Sequence, residues 1–518
     1  MKKALKIIGI TLASLVGLVL IAAIIALSTV TSPKQLTRLV KKYLPELVPY
    51  DIQVDRAKLT IVRTFPDIGL EIDEVALLSP MENSPTDTLA KVEKLTLSAD
   101  ARQYLKNKQI LVKRCLLENS NITLFTDEEG RSNLDIFKTQ DDDTTTKPID
   151  LQLDLREVSL KNTKLSFIDL QSDLIAATAG LDINLQGTMD HDDINALLSL
   201  QSDTLTLRAE GLQGALRDLQ VGFDGRFDDL TRLDGGLTIA CPDLCLHAGY
   251  DVLRHDEVKV ELPLTLALDT LSGSLRDAQL ALNDLLVSIP RGTFRRDDPD
   301  ILLDADFSTN TLDIETVMAL LPEKVATSLQ DIRFKGQLEL NDGRVFGILN
   351  DSLMPIITTN VTARNAVIDI PQLPYPFTGT ELSAYLSVDL NDSINANDLI
   401  LNTKMNNTKL DAKGDVTDLA RQLALDLDLN ANMPLADLKP FLPKQLELKG
   451  KADVKLKAKG TLDDLMEAVT RYRFRTRLLA DAQVTLHDLA FDMDSLHAAA
   501  PRLVVSLHLP ASRRVKGR

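Results

Sequence analysis

The sequence predicts a mainly β protein: an N-terminal transmembrane helix followed by an elongated, mostly antiparallel, repeating β-groove with a few short helices. Three observations carry this reading. Past residue 50, apolar residues recur with a period of two, the spacing that places alternate side chains on one face of a strand. Helical patterns between these runs are few, whereas parallel strand pairs need a crossover, so the sheet is read as antiparallel. Finally, a unit of short helix, proline stop and polar-alternating strand occurs twice.

Lys2, Lys3 and Lys6 precede an uncharged stretch over residues 7–30. As a helix it would be about 36 Å long at ~1.5 Å per residue, enough to cross a bilayer core of about 30 Å. A cleavable signal peptide usually has a shorter apolar region and a small-residue exit, which Ala26 and Ser28 match poorly. Residues 1–30 are therefore read as a cytoplasmic stub and membrane anchor. Lys34, Arg38, Lys41 and Lys42 follow at helical spacing, opposite Leu36, Leu39, Val40, Tyr43 and Leu44. This amphipathic helix over 33–47 either lies on the membrane surface through its cations or packs its apolar face into the domain.

Residues 31–138 form an N-terminal domain. A polar linker, 139–148, carries Asp141, Asp142 and Asp143 but lacks the glycine turn and closing glutamate of a calcium loop. The remainder, 149–518, is the repetitive body. Leu151, Leu153 and Leu155 alternate with polar residues there, as do Leu423, Leu425, Leu427 and Leu429, and similar alternation marks 257–270, 333–341, 382–390 and 446–458. The duplicated helices are read around Leu312–Pro322 and around Met433–Pro443, each followed by such a strand.

A motif of glycine, an apolar residue at i+2, aspartate at i+4 and leucine at i+5 punctuates the body. It occurs from Gly214 to Leu219, Gly225 to Leu230, Gly414 to Leu419 and Gly460 to Leu465, with a partial copy at Gly273, Leu275 and Asp277. The expectation is turn chemistry, with the aspartate folding onto nearby backbone N–H groups.

The 518 residues are 44% hydrophobic but only 4% aromatic, without tryptophan, so the apolar mass is aliphatic and too large for a disordered chain. A net charge of -17 argues against a nucleic-acid partner, which would need a cationic face. Three cysteines make no disulfide framework. Cys241, Cys245 and His247 could suggest zinc, but a fourth ligand is not apparent and the same residues fit a short β segment, so no metal site is assigned. No nucleophile elbow, phosphate loop or His-Glu-x-x-His motif occurs, and the protein is read as nonenzymatic, with no catalytic residue and no cofactor. Arg471, Arg473, Arg475 and Arg477 alternate with Tyr472, Phe474 and Thr476, placing four guanidinium groups on one strand face. They could meet anionic lipid headgroups or a protein partner, or serve as a charged edge that resists aggregation.

The single N-terminal span, Tyr43-Leu44-Pro45, Phe65-Pro66-Asp67-Ile68 leading into a strand, and Gly130-Arg131-Ser132-Asn133-Leu134-Asp135 together resemble the N-terminal region of the AsmA-like family. The repeats and Leu-Pro-terminated helices are similar to that family's body. The resemblance implies a chorein-type α+β N-terminal domain and a Gram-negative envelope protein, anchored in the inner membrane with its bulk in the periplasm. It also implies a link to outer-membrane assembly and a likeness to bridge-like lipid-transfer proteins.

The residues lead toward the same function. A sheet with one aliphatic face must bury it against another sheet, helices or a ligand. Coiled into a trough, it would hold acyl chains at about 0.8 kcal/mol per buried CH₂. The expected partners are the inner membrane, a phospholipid or other acylated lipid, and an outer-membrane or envelope protein. The alternative is a filled β-sandwich scaffold that regulates protein targeting or assembly at the outer membrane without lipid cargo.

Overall fold

The computed structural model describes residues 33–47, 51–60, 64, 67–99, 112–134, 153–190, 193–228, 231–248, 251–319, 332–350, 352–371, 373–419, 422–442, 446–461, 464, 479–493 and 496–509. The chain is mainly β, as its period-two pattern requires, and divides into two compact units: 1–269 with 280–283, and 270–279 with 284–518. The anchor read at 7–30 lies outside the described residues. Among those described, no helix is long and apolar enough to cross a membrane.

In the first unit, helix α1 (Pro33–Leu47) is followed by β1 (Ile52–Thr60), β2 (Ile68–Leu78), β3 (Thr88–Ala99) and β4 (Val112–Thr126). These strands pair antiparallel in chain order. Next come β5 (Leu153–Asp169), β6 (Leu174–Asp190), β7 (Asp193–Ala209), β8 (Leu212–Asp228), β9 (Arg232–His247) and β10 (Asp251–Ala267), again each antiparallel to its predecessor. The one departure is β4 with β5, which run parallel from Val112↔Leu153 to Thr126↔Asp169. A parallel pair needs a connection of about a dozen residues or more, and the segment containing the polar run 139–148 supplies it.

The second unit contains most of β11 (Ser272–Leu282), then β12 (Leu285–Asp297), β13 (Asp300–Thr309), the short β14 (Leu312–Asp313), helix α2 (Ile314–Ala319) and β15 (Arg333–Leu349). It continues through β16 (Ile356–Asp369), β17 (Phe377–Val388), β18 (Ile394–Met405), β19 (Thr408–Thr417), β20 (Ala424–Pro434), β21 (Leu446–Thr461), β22 (Leu479–Met493) and β23 (Leu496–Leu509). From β15 onward each strand is antiparallel to the next. The two duplicated helices take different forms. The first is α2, while Leu435–Phe441, with Pro440 inside it, is a 3₁₀ turn rather than an α-helix. Proline cannot donate the helical hydrogen bond, and the tighter turn tolerates this over a short run.

Many strands carry a bulge near their middle, and the bulged residue is commonly Asn or Asp in the left-handed region: Asn119, Asn162, Asp218, Asp277, Asn365 and Asp398, with φ between 49° and 56°. Short polar side chains tolerate this conformation best after glycine. In three of them the freed N–H is capped from the next strand: Asn162 donates to Asp182 Oδ1 at 2.6 Å, Asn365 to Glu381 Oε1 at 3.1 Å and Asp398 to Asp415 Oδ1 at 2.9 Å. This corrects part of the motif reading. Asp418 does end a strand, but Asp218 and Asp277 lie inside β8 and β11, where they bend the strand instead of closing it.

Among the described residues, full burial of large side chains is concentrated at the N-terminal end of the first unit. The largest side chains that are almost wholly buried, Leu36, Val40, Leu70, Ile72, Leu95, Leu97 and Asn133, all precede residue 134.

Candidate functional site

Residues paired across neighbouring strands share a face, so the register shows which side chains form each surface. In the first unit, Leu70, Leu97, Cys115 and Val158 are successive cross-strand partners, and so are Ile72, Leu95, Leu117 and Leu160. The second row continues through Ile183, Leu200, Val221, Ile239 and Val260. The first continues through Leu185, Leu198, Phe223, Leu237 and Leu262. Two unbroken apolar rows therefore cross nine strands on one face. The opposite face carries Glu157, Asn184, Ser199, Gln201, Gln220, Thr238 and Glu261, which alternate with them in sequence.

Burial changes along these rows. Leu70, Ile72, Leu95, Leu97 and Cys115 are buried to within 2% of completely. From β5 to β10 the same rows are only half-buried, and Leu185 is 42% exposed. A second sheet packed on this face would bury it as fully as the N-terminal end. The filled-sandwich arrangement is thus not what these strands show.

The second unit repeats the arrangement within itself. Leu382, Leu401, Ala412, Leu429, Leu456, Ala482 and Leu507 are successive partners across β17 to β23. Leu382, Leu401, Leu429 and Leu456 are half-buried. Its other face is a ladder of charge in which cross-strand partners Asp426 and Lys459 approach to 2.5 Å and Asp428 and Lys457 to 3.4 Å. The open recesses follow the polar side. One of about 580 Å³ in the first unit is lined by Asp67, Lys113, Arg114, Arg156 and Glu157, and one of about 670 Å³ in the second by Lys413, Asp426, Lys457 and Lys459.

Helix α1 lies against β1, where the Ala57 N–H donates to Thr37 Oγ1 at 2.9 Å. Its Leu36 and Val40 are buried, so this part of the apolar face packs within the domain. Lys34, Arg38, Lys41 and Lys42 are all exposed on the other side. Arg471, Arg473, Arg475 and Arg477 lie outside the described residues.

The Gly-Arg-Ser-Asn segment after β4 has a structural role. β3 partners β4 as far as Ala90↔Ile122, and beyond that point the Asn133 amide takes its place. Its Oδ1 accepts from the Phe125 N–H at 3.1 Å and its Nδ2 donates to the Thr123 carbonyl at 2.9 Å, with Asn133 itself wholly buried. Asp127 closes the turn by accepting from the Arg131 N–H at 2.8 Å, and Gly130 adopts φ +77°, which favours glycine.

Of the cysteine and histidine trio, the structure keeps only one member in a cluster. Cys241 is buried on the apolar side, its Sγ directed at the backbone carbonyls of Arg217 and Asp243. Cys245 instead meets two residues that sequence spacing passed over, Asp243 and His255. His255 lies ten residues away across a hairpin, so only the register reveals the neighbourhood. A hydrogen bond with His255, joined by one from Arg217 and opposed by burial, holds the Asp243 carboxyl below its ordinary value.

These features define a class: an antiparallel β protein whose sheet carries a polar, ion-laddered face and a continuous, half-exposed aliphatic face. Residues 1–205 match the model of the AsmA family, and over that part of the chain the resemblance carried by its sequence motifs holds. Comparisons with curated proteins and with solved structures returned no match.

Proposed function

We propose that this is an envelope protein, anchored in the inner membrane with its bulk in the periplasm, that holds or conducts phospholipid acyl chains along its aliphatic sheet face during outer-membrane assembly. The observation that carries the reading is the pair of in-register apolar rows from β5 to β10, half-exposed along their length. Leaving that much aliphatic surface in water costs about 25 cal/mol per Å², and a cover without fixed polar contacts satisfies it best. Acyl chains are such a cover. Membership of residues 1–205 in an envelope-associated family supports the setting. The exposed Lys34, Arg38, Lys41 and Lys42 would face anionic headgroups at the inner-membrane surface. Nothing in this role calls for catalysis.

A detergent-free preparation of residues 31–518, extracted and examined by mass spectrometry, tests the reading. Copurifying phospholipid is expected. A folded, lipid-free protein that crosslinks only to other proteins would favour the scaffold instead.

A further inference from the structure

The polar face of the β9–β10 hairpin gathers three ligand groups of different chemistry. Cys245 Sγ lies 3.5 Å from His255 Nδ1 and 3.7 Å from Asp243 Oδ1, and the last two are 2.8 Å apart. An ion bound tetrahedrally at ordinary zinc distances holds its sulfur, nitrogen and oxygen ligands about 3.3–3.6 Å apart. The sulfur–nitrogen edge falls in this range and the sulfur–oxygen edge within about 0.1 Å of it, while the imidazole–carboxylate edge, now a hydrogen bond, must widen by about half an ångström.

Backbone geometry places the imidazole there. His255 has φ +59° and occupies a register shift in β10 between Leu253 and Asp256. In other strands this left-handed position is most often Asn or Asp, as at Asn162, Asp218 and Asn365. A histidine is not needed to make the bulge, yet here the bulge directs its ring to Cys245 and Asp243. The bulge in β9 also moves the apolar pattern from Cys241 to Leu244 and Leu246, leaving Asp243 and Cys245 together on the polar face.

We propose that Asp243 Oδ1, Cys245 Sγ and His255 Nδ1 form a zinc-binding site that ties β9 to β10, with water as the fourth ligand. The donor set is borderline-soft, as Zn²⁺ prefers, and is unsuited to Ca²⁺ or Mg²⁺, which take oxygen ligands. On binding, the Cys245 thiol loses its proton to solvent and the Asp243–His255 hydrogen bond is exchanged for two bonds to the metal. The site is independent of any lipid on the opposite face.

The test is titration of the full-length, metal-free, reduced protein with Co²⁺, read by the thiolate-to-metal charge-transfer band in the near ultraviolet. One equivalent is expected to produce the band and Zn²⁺ to bleach it. Cys245→Ser should abolish it, and His255→Asn should weaken binding at least tenfold while leaving the circular dichroism unchanged, because Asn suits the bulge. Cys115→Ser should leave the band intact, since burial pushes that thiol up to about 12. Zn²⁺ should raise the thermal midpoint of the wild type and not of Cys245→Ser. Absence of the band in the wild type, or its persistence in both Cys245→Ser and His255→Asn, would overturn the assignment.

Discussion

Single polar residues hold the sheet where its ladder is interrupted. Asn133 replaces a missing strand at the end of β4, and its two backbone hydrogen bonds are fully buried. Asn133→Ala leaves a buried N–H and a buried carbonyl unpaired and should cost about 2–4 kcal/mol, read from denaturant unfolding. Asp437 works similarly in the second unit. Burial pushes its carboxyl up, but hydrogen bonds from Thr408, Asn407 and Asn406 outweigh this and hold it below its ordinary value. Its folded value is the depressed one, so its contribution is complete above the ordinary carboxylate range and disappears as pH falls through the folded value. The thermal midpoint should therefore fall more steeply with acid in the wild type than in Asp437→Asn. At this scale the sequence was partly readable. Gly130 to Asn133 stood out as a motif, but its strand-replacing role depends on where β3 stops pairing, which only the register tells.

At the scale of elements, alternation was legible and its interruptions were not. Strands such as β7, β8 and β10 run for 17 residues, and a central bulge shifts the apolar set from one parity to the other. In β9 the rows pass from Leu237 and Ile239 to Leu244 and Leu246, so a strict period-two reading recognises only one half of a strand. The same interruption explains why Asp218 looked like a turn, since Asn and Asp suit both positions. Helix α1 was legible over its whole length, though which side its apolar face would meet was not. Leu36 is 2% exposed, and Leu36→Ala should cost about 2–5 kcal/mol. Leu97 is equally buried, and Leu97→Ala should fall in that range too. Leu200, in the same apolar row system but half-buried, should lose only about 1 kcal/mol on truncation to alanine. Equal losses at Leu97 and Leu200 would mean that the face from β5 onward is a filled core.

For the whole molecule, the aliphatic, tryptophan-free composition finds its place in the in-register rows of the two units, each described within itself. The family match over residues 1–205 and the predominance of β structure were legible because both rest on local patterns. The direct pairing of β4 with β5 across the polar segment was not, because a long connection leaves no periodic trace. The central claim is that one face of the sheet, and not the other, carries lipid in the cell. It is tested most directly by placing a photoreactive amino acid singly at Leu198, Leu200, Val221 and Ile239, and at Ser199, Gln201, Gln220 and Thr238, in the full-length protein, and identifying what each captures in living cells. Phospholipid adducts at the first four positions and none at the second four are the predicted result. Lipid captured equally on both faces, or protein adducts alone at the aliphatic positions, would contradict the account.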